Sequence, residues 1–109
     1  DQPAAAPGKL VFEVEPSAVR AGEAFVVEVY MVNEGSAALR LAEATVATTT
    51  DGRTASGPVA LLAHEAPPRQ RTLILSMAGQ WRAEVASWSQ AVTVRTAGGE
   101  SYRNELAWK

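Results

Sequence analysis

Cysteine is absent from this chain. Disulfides, thiolate metal sites and cysteine nucleophiles are therefore excluded. Histidine occurs once, as His64, and methionine twice, as Met31 and Met77, so soft and borderline metal ligands are few. Charge of one sign is also lacking: 10 basic and 12 acidic residues leave a net charge of −2, with no block of like charge. That leaves no electrostatic footprint for nucleic acid or an anionic membrane surface. No apolar run approaches the ~20 residues that cross a bilayer, so no transmembrane segment is expected. Phosphate cradles lead from a strand into a helix, whereas "AGGE" at 97–100 joins two alternating segments and reads as a turn. No cofactor is expected.

What is present suits one folded domain. The chain has 109 residues, 47% of them hydrophobic, enough for a single core without covalent staples. Arginine outnumbers lysine eight to two, a usage associated with GC-rich bacterial genes. The opening "DQPAAAPG" has no apolar period and reads as a linker or processed N-terminus over residues 1–8. Beginning at Asp1 rather than methionine, the chain reads as processed or excised. The domain is expected over residues 9–109.

From Lys9 the apolar period is two, the signature of half-buried strands. "KLVFEVE" places Leu10, Phe12 and Val14 on one face and Glu13 and Glu15 on the other. "AFVVEVYMV" places Phe25, Val27, Val29 and Met31 together. Its opposite face, Val26, Glu28, Tyr30 and Val32, is unusually apolar for a solvated surface and is expected to be partly covered. Residues 37–50 mix helix formers with alternation that slips by one residue, and the threonine run disfavours a helix. A strand bulged near Ala42 and Glu43 fits best. "DG" at 51–52 is a hairpin turn, and "PVALLA" from Pro58 a further short strand. "RTLILSM" predicts Leu73, Leu75 and Met77 on one face, with Gly79 turning the chain. "AVTVRT" carries Val92 and Val94 inward, and "SYRNELAW" sets Tyr102, Leu106 and Trp108 against Arg103 and Glu105. Asn104 shares the inward parity and needs hydrogen-bond partners there.

The stretch "MAGQWRAEVASWSQAV" (77–92) admits two readings. Trp81, Val85, Trp88 and Val92 make a helical stripe. Trp81, Ala83 and Val85 also alternate with Arg82 and Glu84, and both flanks are strand-like. The favoured reading for residues 80–90 is a strand with Trp81 in the core and Trp88 in the turn "SWSQ". Together these segments predict an all-β, antiparallel sandwich of about seven to nine strands.

Three fragments carry a resemblance. "VRAGEAFVVEVYMVNEGSAALRL" resembles the second and third strands of bacterial immunoglobulin-like modules. "VALLAHEAPPRQRTLILSMAGQWRAEV" resembles their later part, and "AVTVRTAGGESYRNELAW" their closing hairpin. The resemblance is at the level of the superfold and lacks the cysteine pair of antibody domains. It implies an immunoglobulin-like sandwich of the kind used as spacer, adhesion unit or interaction domain, although fold alone does not establish function.

Candidate chemistry is sparse. His64 lies in the loop "AHEAPP", and the serines lack a nucleophile elbow. Glu13, Glu15 and Glu28 could gather on one face for acid–base work, but nothing near them suggests a substrate pocket and a solvated face is the favoured reading. Met31, Met77 and His64 are ligand types used by periplasmic copper carriers, yet both methionines fall on core faces, so no metal site is expected. Arg82, Glu84, Arg95, Arg103 and Glu105 read as outward cross-strand pairs. No catalytic residue is expected.

The expected function is a non-catalytic interaction or spacer module of a larger bacterial exported or surface-associated protein. It would sit in the periplasm, the extracellular space or at the cell surface. It would contact a protein partner, or neighbouring domains of its own chain, through Val26, Tyr30 and Val32 or by edge pairing. A sandwich binding carbohydrate or another small ligand, stacking on Trp88 with Tyr30 or Trp108, is the alternative. A copper-carrier-like protein is a third.

Overall fold

The computed structural model describes residues 8–15, 20, 22–82, 84 and 86–108. Of the segment expected to be a linker, residues 1–7 lie outside that set, and Gly8 instead opens the first strand. Eight strands follow in order: β1 (Gly8–Glu15), β2 (Ala24–Asn33), β3 (Leu39–Thr50), β4 (Arg53–Val59), β5 (Glu65–Ala66), β6 (Arg71–Gln80), β7 (Trp88–Thr96) and β8 (Ser101–Trp108). Every pairing is antiparallel. One sheet has the order β1-β2-β6, the other β4-β3-β7-β8, with the short β5 pairing β3. Among the described residues there is no helix. The protein is an all-β antiparallel sandwich.

Alternation drives this architecture. Phe25, Val27, Val29 and Met31 of β2 are buried, and they face Leu41, Ala44 and Val46 of β3 and Val92 and Val94 of β7. Burying one such side chain contributes about 1.5–3 kcal/mol. This stripe of β2 therefore anchors the core.

Two bulges shift the parity. In β3, Leu41 pairs Thr96 and Glu43 pairs Arg95, leaving Ala42 as the extra residue, at the expected site. In β6, Leu75 pairs Val29 and Leu73 pairs Tyr30, so Ile74 is extra. Ile74 and Leu75 are consequently both buried, and Leu73 turns outward beside Tyr30. This corrects the expectation that Leu73 shares a face with Leu75 and Met77.

Other expectations also change. β4 ends at Val59, so "PVALLA" is not a strand of its own, and Pro58 lies in an edge strand where its missing N–H is tolerated. Gly79 is not a turn but belongs to β6 opposite Phe25. A Cβ there would lie 2.9 Å from the Phe25 ring, so glycine is required by close packing. β6 ends at Gln80 and β7 starts at Trp88, and the described residues between them are neither strand nor helix. Ala83 and Val85, which carried the alternation, lie outside the described residues.

Polar clasps fix the corners. Asp51 and Gly52 both have positive φ, 48° and 83°, as a type I′ hairpin requires. The Asp51 carboxylate also accepts hydrogen bonds from the backbone N–H groups of Ala86 and Ser87, at 3.0 and 2.9 Å. It thereby ties the β3–β4 tip to the β6–β7 connection. Asn33, wholly buried, donates to the carbonyls of Ala37 and Ala66, both at 2.9 Å, and accepts from Gly35 N–H at 3.0 Å. At one side of the sandwich β8 lies against β1. Gly8 packs by the Tyr102 ring, and Asn104 Nδ2 donates to Leu10 O at 2.8 Å. The two strands thus run the same way. Asn104 is otherwise exposed, so the partner its parity demanded is a neighbouring strand.

Candidate functional site

The outer face of the β1-β2-β6 sheet is built from the residues that alternation leaves over when the core is filled. The registers arrange them in four rows across the strands. Lys9, Val32 and Arg71 form the first row. Val11, Tyr30 and Leu73 form the second, Glu13, Glu28 and Ser76 the third, and Glu15, Val26 and Ala78 the fourth. Val11, Tyr30, Val32 and Leu73 are half-buried, and Val26 is 38% exposed. Tyr30, Val32 and Val26, singled out from the sequence, therefore share one surface. An apolar belt crosses it, with cations on one side and carboxylates on the other.

Arg71 organises the belt. Its guanidinium stacks on the Tyr30 ring, 4.2 Å from the centroid, a geometry that favours the cation. The same guanidinium pairs with Glu13 at 2.6 Å. That hydrogen bond, and the carboxylate's charge, hold the Arg71 proton more tightly than usual. The Tyr30 hydroxyl donates to Glu28 Oε1 at 3.4 Å. So the three carboxylates proposed from spacing do gather here, and two of them are engaged as acceptors.

Trp88 does not belong to this surface. It is the first residue of β7, only 7% exposed, and meets Phe25 edge-on with ring centroids 5.1 Å apart. The turn placement is corrected: pairing with Thr50 and with the Trp108 backbone draws Trp88 into the ladder and the core. Trp81 is buried as expected, at 5% exposure. Both tryptophans form walls of a cleft of about 320 Å³ at this end of the sandwich, shared with Thr50, Gln80, Arg82 and Glu84. Neither exposes enough ring to stack on a sugar.

The remaining candidates are dispersed. His64 Nδ1 lies 3.4 Å from Leu41 O, beside a shallow hollow with Arg40, Glu65 and Ala97 at the other end of the molecule. Met31 is wholly buried and Met77 packs against the core. Among the described residues no three His, Asp or Glu side chains converge as a metal site. Arg95 pairs across strands with Glu43, while Arg103 pairs with Glu105 two residues along its own strand. Arg82 and Glu84 fall outside the strands altogether.

No protein-family model matches the sequence, and no protein of curated function matches it by sequence. Solved structures share the fold. Spo0M, a sporulation control protein from Bacillus subtilis, superposes with a TM-score of 0.58 at 11% identity over 93% of this chain. The match covers 48% of Spo0M, so this chain spans about half that protein's length. FlaG, an archaellum periplasmic stator protein from Sulfolobus acidocaldarius, gives 0.52 at 13% identity, over 91% of this chain and 99% of FlaG. Its complex with FlaF also matches. A conjugative transposon lipoprotein from Bacteroides eggerthii gives 0.51 at 16% identity, over 96% and 99% of the two chains. At these identities the likeness is one of fold.

Lys9, Val11, Arg71 and Leu73 complete the surface and were not among the residues singled out from the sequence. Parity with Glu13 already placed Lys9 and Val11 outward. Leu73 and Arg71 were hidden by the Ile74 bulge, which no local signal announces.

Proposed function

We propose that this chain is a non-catalytic protein-interaction module of an extracytoplasmic protein, docking its partner on the outer face of the β1-β2-β6 sheet. The observation that carries the reading is the apolar belt Val11–Tyr30–Leu73, with Val32 beside it, on an outward sheet face. A solvated face would alternate to polar residues there, and an aromatic with an arginine stacked on it is the composition of an interface core. The strand order supports an immunoglobulin-like assignment. β1, β2 and β6 stand where A, B and E stand in such domains, and β3, β7 and β8 where C, F and G stand. β4 is an added neighbour of C. The periplasmic and lipoprotein neighbours support placement outside the cytoplasm.

Site-specific photo-crosslinking in the producing cell tests the proposal. A crosslinker at Val32 should trap one discrete protein band, and Tyr30→Ala should abolish it. The same crosslinker at Thr93, on the outer face of the other sheet, should trap none. Equal labelling from both faces, or from Thr93 alone, would overturn the assignment.

A further inference from the structure

The rows of the outer face are arranged to complement themselves. Lys9 and Arg71 lie one row to one side of the Tyr30 belt, and Glu13 and Glu28 one row to the other. Rows are two residues apart along the strands, about 6.6–6.8 Å, so the cationic and anionic rows are equidistant from the belt. A two-fold axis in the plane of the face, perpendicular to the strands and passing through the Tyr30 row, reverses the strand direction of the second copy. It sets belt on belt and like strand on like strand, so Lys9 of each copy lies over Glu13 of the other, whose charge Arg71 already meets, and within one strand spacing, about 4.8 Å, of the other copy's Glu28, which Lys9 reaches. A two-fold along the strands would instead set like charges together. We infer that the partner on this face, if the interaction reading above is right, is a second copy of this chain in that antiparallel, isologous arrangement.

Each Arg71 would arrive with its charge already met by its own Glu13, stacked flat on Tyr30. Lys9 makes no ion pair among those of the described residues, so it supplies the cross-copy charge. Three strands at about 4.8 Å and four rows at about 6.7 Å give a footprint of only a few hundred Å² per copy, below the standard interface size. The dimer is therefore weak and reversible, and salt weakens it because the flanking pairs are exposed.

Sedimentation velocity on the full chain, from about 10 µM to about 1 mM at low salt, spans the range where such a weak interface assembles. Wild type should shift from monomer to dimer, and salt should reverse the shift. Lys9→Glu and Glu28→Lys should each weaken self-association about tenfold or more, with unchanged circular dichroism. Mixing the two variants should restore association, because in the mixed pair one charge contact is inverted and its symmetry mate is native. A wild type that stays monomeric throughout overturns the inference, as does a mixture that fails to associate. If the Val32 crosslink then traps a different protein, the docking face stands and only the self-partner falls.

Discussion

Replacing Asn33 by aspartate exchanges one amide nitrogen for an oxygen and changes almost nothing in size. Asn33 is 0% exposed, and its Nδ2 sits 2.9 Å from two carbonyl oxygens, those of Ala37 and Ala66. A carboxylate there cannot donate to either. It would be desolvated and would face their lone pairs directly. Removing the side chain in Asn33→Ala loses three hydrogen bonds, at about 1 kcal/mol each. The expected cost is about 3 kcal/mol. Asn33→Asp should cost more at neutral pH, because it adds an unpaired buried charge. The penalty should shrink in acid. The folded state raises the introduced carboxyl's pKa above its unfolded value near 3.9, so protonation is favoured on folding and one O–H donor returns. The loss is therefore smallest below about pH 4 and grows as pH rises to the folded pKa, where it levels off. Urea unfolding followed by tryptophan fluorescence, at pH 7 and near pH 4, measures it. Asn33→Asp within about 0.5 kcal/mol of wild type at pH 7, or a deficit that does not narrow in acid, refutes the account.

Two further outcomes are expected. Gly79→Ala should destabilise by about 1–3 kcal/mol, because its Cβ would lie 2.9 Å from the Phe25 ring, and Gly79→Ala with Phe25→Leu should recover part of that loss in the same urea assay. Burial, with the Glu100 carboxylate adding to it, holds the Tyr102 phenol above its ordinary range. The folded state thus keeps this proton where the unfolded chain loses it. Stability from this group is complete below about pH 10 and falls as pH rises further, so Tyr102→Phe should flatten the alkaline limb of the urea midpoint; identical limbs would refute the assignment.

Much of the architecture was legible because the period-two pattern is strong where both faces are decided by burial. Every inward residue expected of β2 is buried, and the bulge at Ala42 showed itself as a slip in the alternation Leu39/Leu41 to Ala44/Val46. The Ile74 bulge left no such trace, since "LIL" is apolar at each position and any parity satisfies it. That single ambiguity concealed Arg71 and Leu73 of the candidate surface. The Trp81–Trp88 segment misled for another reason. Its alternation is real in sequence, but long-range bonds override it: Asp51 captures Ala86 and Ser87, and Thr50 pairs Trp88. Trp88 enters the core through contacts thirty-odd residues away in the chain, which no local window contains. The surface residues Tyr30 and Val32 were readable for the opposite reason, as apolar side chains on the face that the core does not use.

The side-by-side course of β1 and β8 has a mechanical consequence. Because they run in the same direction, stitched by Asn104 to Leu10, the chain enters this seam at one pole of the sandwich and leaves it at the other. Tension between the two strands slides them past each other and loads their contacts simultaneously instead of peeling them one at a time. In that geometry the amide of Asn104 is one of the contacts that must shear before the seam extends.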